Sequence, residues 1–201
     1  MTAVIILASM TTVIEAAPSQ PPDARSAPDP ASREQGRDPE PSARRWQTAL
    51  ATPADAAALA DLFAACSLET VRLRFFGRVR ALPAEYLADV LAGRPDVHDA
   101  VVAYAYGASK AHLVGLASLA TPPGGRTAEL GVLVADAWQR QGAGRAMVDL
   151  LLTRARARGV RRVGAAVLPG RSALLAALGR RLPAEHLALS ADGPSGVYRL
   201  D

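Results

Sequence analysis

A single cysteine, Cys66, stands among 201 residues, so no intramolecular disulfide can form. That scarcity suits a reducing compartment, and the cytoplasm is the expected location. His98, His112 and His186 are scattered and share no metal-ligand spacing, so no metal site is expected. Aromatic residues make up only 4% of the chain and no base-reading motif is present, which ranks nucleic-acid binding last. Long apolar runs are missing too. Residues 3–14 form a run of a dozen, well short of the roughly 20 needed to span a membrane. No Lys or Arg precedes that run, as an export signal would require, and Met10 or a later residue is an alternative start. No membrane association is expected.

Lysine is nearly absent as well. Lys110 stands alone against 22 arginines in a chain of net charge +4. Arg keeps its charge at any relevant pH and grips anions with a planar fork, although a general bias of composition explains the excess as well. Half of the residues are apolar, enough for one core. They are unevenly spread. Residues 1–45 are rich in Pro, Ser, Asp, Glu and Arg behind their short apolar start, and are expected to be a disordered tail. Residues 46–201 are expected to form one domain.

Within that domain the pattern alternates as an α/β fold should. A strand is predicted at 46–51, then a helix at 54–66 with Thr52 as cap and Pro53 at its first position. Short helices follow at 67–76 and 83–91. Residues 99–106 and 112–120 form a hairpin about 107–110, and 127–135 a fourth strand. A helix at 142–158 carries the apolar stripe Met147, Leu150, Leu151 and Ala155, with Gly159 as C-cap. A strand at 160–168, a helix at 172–181 and short strands at 187–189 and 196–200 complete the domain. Cys66 is expected to be a small core residue.

The most telling stretch is residues 128–147, AELGVLVADAWQRQGAGRAM: an apolar strand, a polar turn with two glycines, then an amphipathic helix. It is not a P-loop, because no Lys follows its glycines. Nor is it a dinucleotide fingerprint. The third glycine position falls on Met147, and residues 135–141 separate the glycines from the strand. It does fit Q/R-x-x-G-x-G/A through Gln139, Gly142 and Gly144. Glycines at the mouth of a helix allow close backbone approach, and the unpaired N–H groups of the first turn favour an anion. A phosphorylated cofactor is the expected ligand, with an ordinary helix start as the alternative.

This segment resembles the acetyl-CoA-binding motif of the GNAT superfamily of N-acetyltransferases. The likeness takes in Thr52-Pro53-Ala54-Asp55 and the run from Ser67 to Phe76, which are similar to the entrance region of bacterial Pat-type protein acetyltransferase domains. It implies a mixed, mostly antiparallel central sheet flanked by helices, acetyl-CoA as the acetyl donor, and a primary amine as acceptor, on a protein lysine or a small molecule. A homodimer is compatible with it. A catalytically weak acyl-CoA-binding sensor or partner subunit is the alternative.

Acetyl transfer needs a group that takes a proton from the amine, since a free lysine has a pKa of about 10.4. Glu129, at the start of the fourth strand, is the candidate base. A solvated strand-end carboxylate, or a partner for Arg126, is the other possibility. By the resemblance, the backbone of Val132, Leu133 and Val134 lines the pantetheine arm. Arg140, Gln141, Gly142, Ala143, Gly144 and Arg145 surround the pyrophosphate, although Arg140 and Arg145 also suit a solvated helix face. Three places depart from the family. Arg171 stands where an Asn is usual, and Leu178 where a Tyr would protonate the departing thiolate; Leu182-Pro183 replaces a Gly-Phe. Ser172 is a possible helix cap. The arginines from Arg72 to Arg80 suit an acidic acceptor or a solvated helix face, and Lys110 is the one side chain able to self-acetylate.

Overall fold

The computed structural model describes residues 46–106 and 111–200. The expected tail and the turn bearing Lys110 lie outside those residues. Strand β1 (Trp46–Leu50) leads through a 3-10 turn (Pro53–Asp55) into α1 (Ala56–Ala64), α2 (Leu68–Phe75) and α3 (Ala84–Leu91). Then come β2 (His98–Tyr106), β3 (Ala111–Ala120), β4 (Ala128–Val134), a second 3-10 turn (Asp136–Trp138) and α4 (Ala143–Ala157). Finally β5 (Arg162–Ala166), α5 (Ala173–Gly179), β6 (Ala184–Ser190) and β7 (Gly193–Arg199) close the domain. No helix among the described residues is long and apolar enough to cross a membrane.

The helix predicted from residue 54 begins with a 3-10 turn. Pro53 removes one N–H there, and the Asp55 carboxylate accepts from the Thr52 backbone N–H at 2.7 Å, closing a capping box. Ser67 caps α2 by accepting from the Thr70 N–H at 3.2 Å.

The seven strands form one sheet in the order β1-β2-β3-β4-β5-β7-β6, antiparallel except where β4 meets β5. Side chains alternate across it and build two cores. Val101, Leu130, Val132 and Val134 face Met147, Val148 and Leu151 of α4, with Leu175 and Leu178 of α5 in the same cluster. Val102, Leu116 and Leu133 face Leu59, Leu62 and Val90 of α1 and α3. Helix α4 is further tied to β2, because buried Asp99 accepts from Arg154 at 3.0 Å and Arg158 at 2.8 Å.

Strand β6 is longer than the residues 187–189 predicted. Its side chains are exposed throughout, so it carries no apolar alternation to read, and pairing with β7 alone defines it.

His98, at the start of β2, is buried. Burial lowers its pKa from 6.5 to about 4; Asp89 and Asp99 raise it, and Arg74 adds to the lowering. The folded state therefore holds a neutral imidazole, whereas the unfolded chain takes up a proton below about pH 6.5. Stability contributed by this group is full above that pH and is lost as pH falls to about 4, by about 3 kcal/mol in all. Urea melts at pH 7 and pH 4.5 are expected to differ by less in His98→Gln than in the parent.

Candidate active site

The site begins where two strands part. The parallel ladder between β4 and β5 holds at Ala128 opposite Val163 and Glu129 opposite Gly164, and at no later residue. Past Glu129, β4 stays paired with β3 as far as Val134, opposite Gly115. Strand β5 turns instead towards β7, where Ala166 lies opposite Ser195 and the Val167 N–H donates to the Pro194 carbonyl at 3.0 Å. One edge of β4 therefore opens onto a wedge with its backbone unpaired by β5. Backbone polar groups seek partners, so such an edge suits a ligand that carries amides.

Beside that wedge lies the glycine turn. Gln139 fixes its start by donating to the Val134 carbonyl at 3.1 Å and to the Thr70 hydroxyl at 3.0 Å. Arg140 and Gly142 adopt left-handed conformations, φ 60° and φ 90°, which curl the chain into α4. Arg140 thus precedes the helix rather than lying on its face. The Gln141 side chain donates to the Ala137 carbonyl at 2.7 Å. No side chain caps α4, so the N–H groups of its first turn are offered outwards. Gly144 lets this turn lie close to β4, since a Cβ there would stand 3.5 Å from Val134 and 3.7 Å from Val132. Arg145 is exposed and 3.7 Å from Asp149.

Glu129 occupies the apex of the wedge on the α1–α3 side. The register sets His98, Ala120, Glu129 and Gly164 in one row across four strands, with side chains on the same face. The carboxylate lies directly over Gly164; a Cβ at that glycine would come within 2.7 Å of one carboxylate oxygen and 2.8 Å of the other. Burial pushes the Glu129 carboxyl up from its ordinary pKa. Among the described residues it forms no ion pair, with Arg126 or any other cation.

Helix α2 is fastened over this region by contacts that no local pattern announces. Asp136 accepts from the Ser67 N–H and Ser67 hydroxyl, each at 2.7 Å, and from the Thr70 hydroxyl at 2.9 Å. Burial pushes the Asp136 carboxyl up, but these bonds outweigh it and leave the pKa below its usual value. Glu69, also on α2, meets Arg171 beyond β5 at 3.3 Å.

The arginines of this helix split. Arg72 pairs with Glu69 at 3.3 Å on the surface, whereas Arg74 is 1% exposed and donates to the Tyr86 hydroxyl at 2.8 Å. Tyr86 in turn lies 3.2 Å from the buried Ser118 hydroxyl. A solvated face is therefore the wrong picture for Arg74. Its signal was present in the sequence, because Thr70, Val71 and Arg74 share one buried helical stripe.

The remaining candidates do less. Leu178 is buried in the α4-side core, and nearby Tyr198 is committed, its hydroxyl donating to the Leu175 carbonyl at 2.8 Å. Ser172 makes no cap bond to α5. The Cys66 thiol donates to the Leu62 carbonyl, and burial, aided by Asp136, pushes its pKa up to about 12. It is no nucleophile at neutral pH. No group of residues able to hold a metal ion occurs among the described residues.

Comparison with known proteins agrees with this geometry. No curated protein matches the sequence. The structure is similar to the GNAT domain of S. lividans PAT, with TM-score 0.65 and 21% identity over 76% of this chain and 89% of that one. It is similar to a putative acetyltransferase from Salmonella typhimurium solved with acetyl-CoA (TM-score 0.58, 20% identity, 78% of this chain and 95% of that one). It also resembles diaminobutyrate acetyltransferase from Paenibacillus lautus, solved with L-2,4-diaminobutyric acid and coenzyme A (TM-score 0.57, 19% identity, 78% and 96%). At these identities such likeness establishes the fold. The profile of the acetyltransferase (GNAT) family matches residues 67–179, from the cap of α2 to the end of α5. With a wedge between β4 and β5 and an uncapped glycine turn beside it, the chain belongs to the GNAT acetyltransferase family.

Proposed function

We propose that the protein transfers an acetyl group from acetyl-CoA to a primary amine, on a protein lysine or a small molecule, by direct attack with both substrates bound. The observation that carries this reading is the half-buried Glu129 carboxylate, raised in pKa and placed where β4 leaves β5. Acetyl-CoA fits the residues present. The N–H groups around Arg140, Gln141, Gly142, Ala143, Gly144 and Arg145 suit its pyrophosphate, because the turn is left-handed and the helix start uncapped. The edge of β4 that β5 leaves along Val132, Leu133 and Val134 suits the amides of the pantetheine arm, although the Val134 carbonyl already accepts from Gln139. The Salmonella and Paenibacillus proteins of like fold, solved with acetyl-CoA and with coenzyme A, lend support.

When bound, the donor supplies a thioester carbonyl open to attack by an amine. Glu129 takes a proton from the ammonium form, directly or through a water, and a raised pKa suits it to that exchange near neutral pH. The amine nitrogen forms the new C–N bond, the C–S bond breaks, and the second proton leaving nitrogen balances the one the thiolate takes up as free thiol. With Leu178 in place of a hydroxyl, no dedicated acid stands there. A thiol pKa of about 8.5 makes unassisted departure tolerable. The reaction needs no acetyl-cysteine, and the cytoplasm suits the lone free thiol of Cys66.

The test is thermal melting of the full chain with acetyl-CoA, together with thiol release over a panel of amines. A hundredfold excess over Kd is expected to stabilise by about 2.7 kcal/mol. Amine-dependent release should be equal in Cys66→Ala and the parent. Stabilisation without release on any amine would favour the acyl-CoA sensor, and no stabilisation would defeat the donor assignment.

A further inference from the structure

Arg74 is the largest side chain withdrawn from solvent among the described residues, and no carboxylate pairs with it. Its guanidinium is stacked 4.8 Å from the centre of the Phe75 ring and 5.1 Å from that of Tyr86, with the Tyr86 hydroxyl as its hydrogen-bond acceptor. Burying a charge without a countercharge is costly, and stacking offsets only part of that cost. The acids nearby are already engaged. Asp89 pairs with Arg94 at 3.5 Å, and Asp99 with Arg154 and Arg158. Next to Arg74, with its ring 5.4 Å from that of Tyr86, His98 keeps a buried Nε2 that has no hydrogen-bond partner. In one cluster, then, a buried guanidinium has only a neutral acceptor and a buried imidazole nitrogen has no partner, and an anion would answer both.

The cluster shares a sheet face with Glu129. His98 is opposite Ala120, which is opposite Glu129; Ser118, one row along, is opposite Gly131. At the spacing of neighbouring strands, the backbones of His98 and Glu129 are about 10 Å apart. On the strand between them the row carries only the methyl of Ala120, and Gly131, beside Glu129 on β4, adds no side chain to that face. Ala120 and Glu129 are half-buried whereas His98 is buried, so the row is more open at its Glu129 end.

We propose that Arg74 and His98 bind a carboxylate of the acceptor, so that the amine acetylated at Glu129 belongs to a small amino carboxylate whose two ends are several bonds apart. This rests on the acetyl-transfer reading and specifies its substrate class. A lysine in a folded protein presents no free carboxylate at that distance. An ω-amino acid or a diamino acid presents both groups on one short chain.

The experiment compares matched acceptors on the full-length protein: 4-aminobutyrate against butylamine, 5-aminopentanoate against pentylamine, and a lysine peptide blocked at both ends. Thiol release from acetyl-CoA gives kcat and KM for each. The carboxylate-bearing member of each pair is expected to show at least tenfold higher kcat/KM, mainly through KM. In Arg74→Gln the loss on the carboxylate-bearing acceptor should exceed the loss on the plain amine at least tenfold, with Arg74→Lys between the two. Should Arg74→Gln fail to fold, the comparison within the parent protein still decides. Melting with 5-aminopentanoate alone, without acetyl-CoA, adds a readout that needs no turnover. Plain amines or the blocked peptide working as well as the amino carboxylates would overturn the proposal and leave acetyl transfer standing. No release on any acceptor, with no shift by 5-aminopentanoate, would overturn it as well. Loss of the acetyl-CoA melting shift in the same samples would mark failure of the acetyl-transfer reading itself.

Discussion

Glu129→Gln is expected to lower kcat by two to four orders of magnitude, the usual contribution of a placed general base. The amide keeps the shape of the carboxylate over Gly164 but cannot take the proton. KM for acetyl-CoA should stay within about threefold, because the donor-binding groups proposed above are backbone N–H groups on another segment. The pH profile gives an independent check. A base at Glu129 must be ionised to act, so activity in the parent is expected to fall as pH drops through the Glu129 pKa, which burial raises from its ordinary value. That acid limb should vanish in Glu129→Gln. Stability should move the other way. A carboxyl raised in the folded state binds its proton more tightly folded than unfolded, so its ionisation weakens the fold as pH rises through that window. At pH 8 the Gln variant should therefore melt no lower than the parent. A dead variant that also melts much lower would point to a structural role for Glu129.

Gly164→Ala is expected to cost turnover on the order of a hundredfold while shifting the melt little. The new methyl would meet both oxygens of the Glu129 carboxylate, at 2.7 and 2.8 Å, closer than real contacts allow. What must yield is the free end of a side chain rather than backbone, so the fold is hardly disturbed. The carboxylate is displaced by about 1 Å, and misplacement on that scale can cost about a hundredfold. In the Glu129→Gln background the same methyl should cost almost nothing further, since no base remains to displace. Kinetics of the two single variants and the double variant test that non-additivity. Equal losses in both backgrounds would mean that Gly164 acts through something other than Glu129.

What the sequence discloses here is whatever is local. The strand, glycine turn and helix across residues 128–147 can be read directly, because each rests on spacing within a few residues. The same holds for the Thr52 cap and the hairpin of β2 and β3. Strand β6 escapes, having solvent around all its side chains and hence no alternation. The wedge escapes too, because β4 and β5 part only when β7, some thirty residues on, draws the chain after β5 away. The fastening of α2 joins residues 69 apart, Ser67 and Asp136, that carry no shared pattern. Arg74 is the instructive case. Grouped by composition with Arg72, Arg78 and Arg80 it reads as part of a basic surface, whereas its place on the stripe with Thr70 and Val71 puts it inside.

The link from Asp136 and Gln139 to Ser67 and Thr70 has a thermodynamic consequence. It makes the turn proposed to hold the pyrophosphate and the helix that bears Arg74 a single mechanical body. Whatever orders one end lowers the entropy still to be lost at the other. The two substrates should then bind with positive cooperativity, and by linkage each must strengthen the other by the same factor. Cutting the link with Asp136→Ala would leave both ligands' direct contacts in place and pull that shared factor towards one.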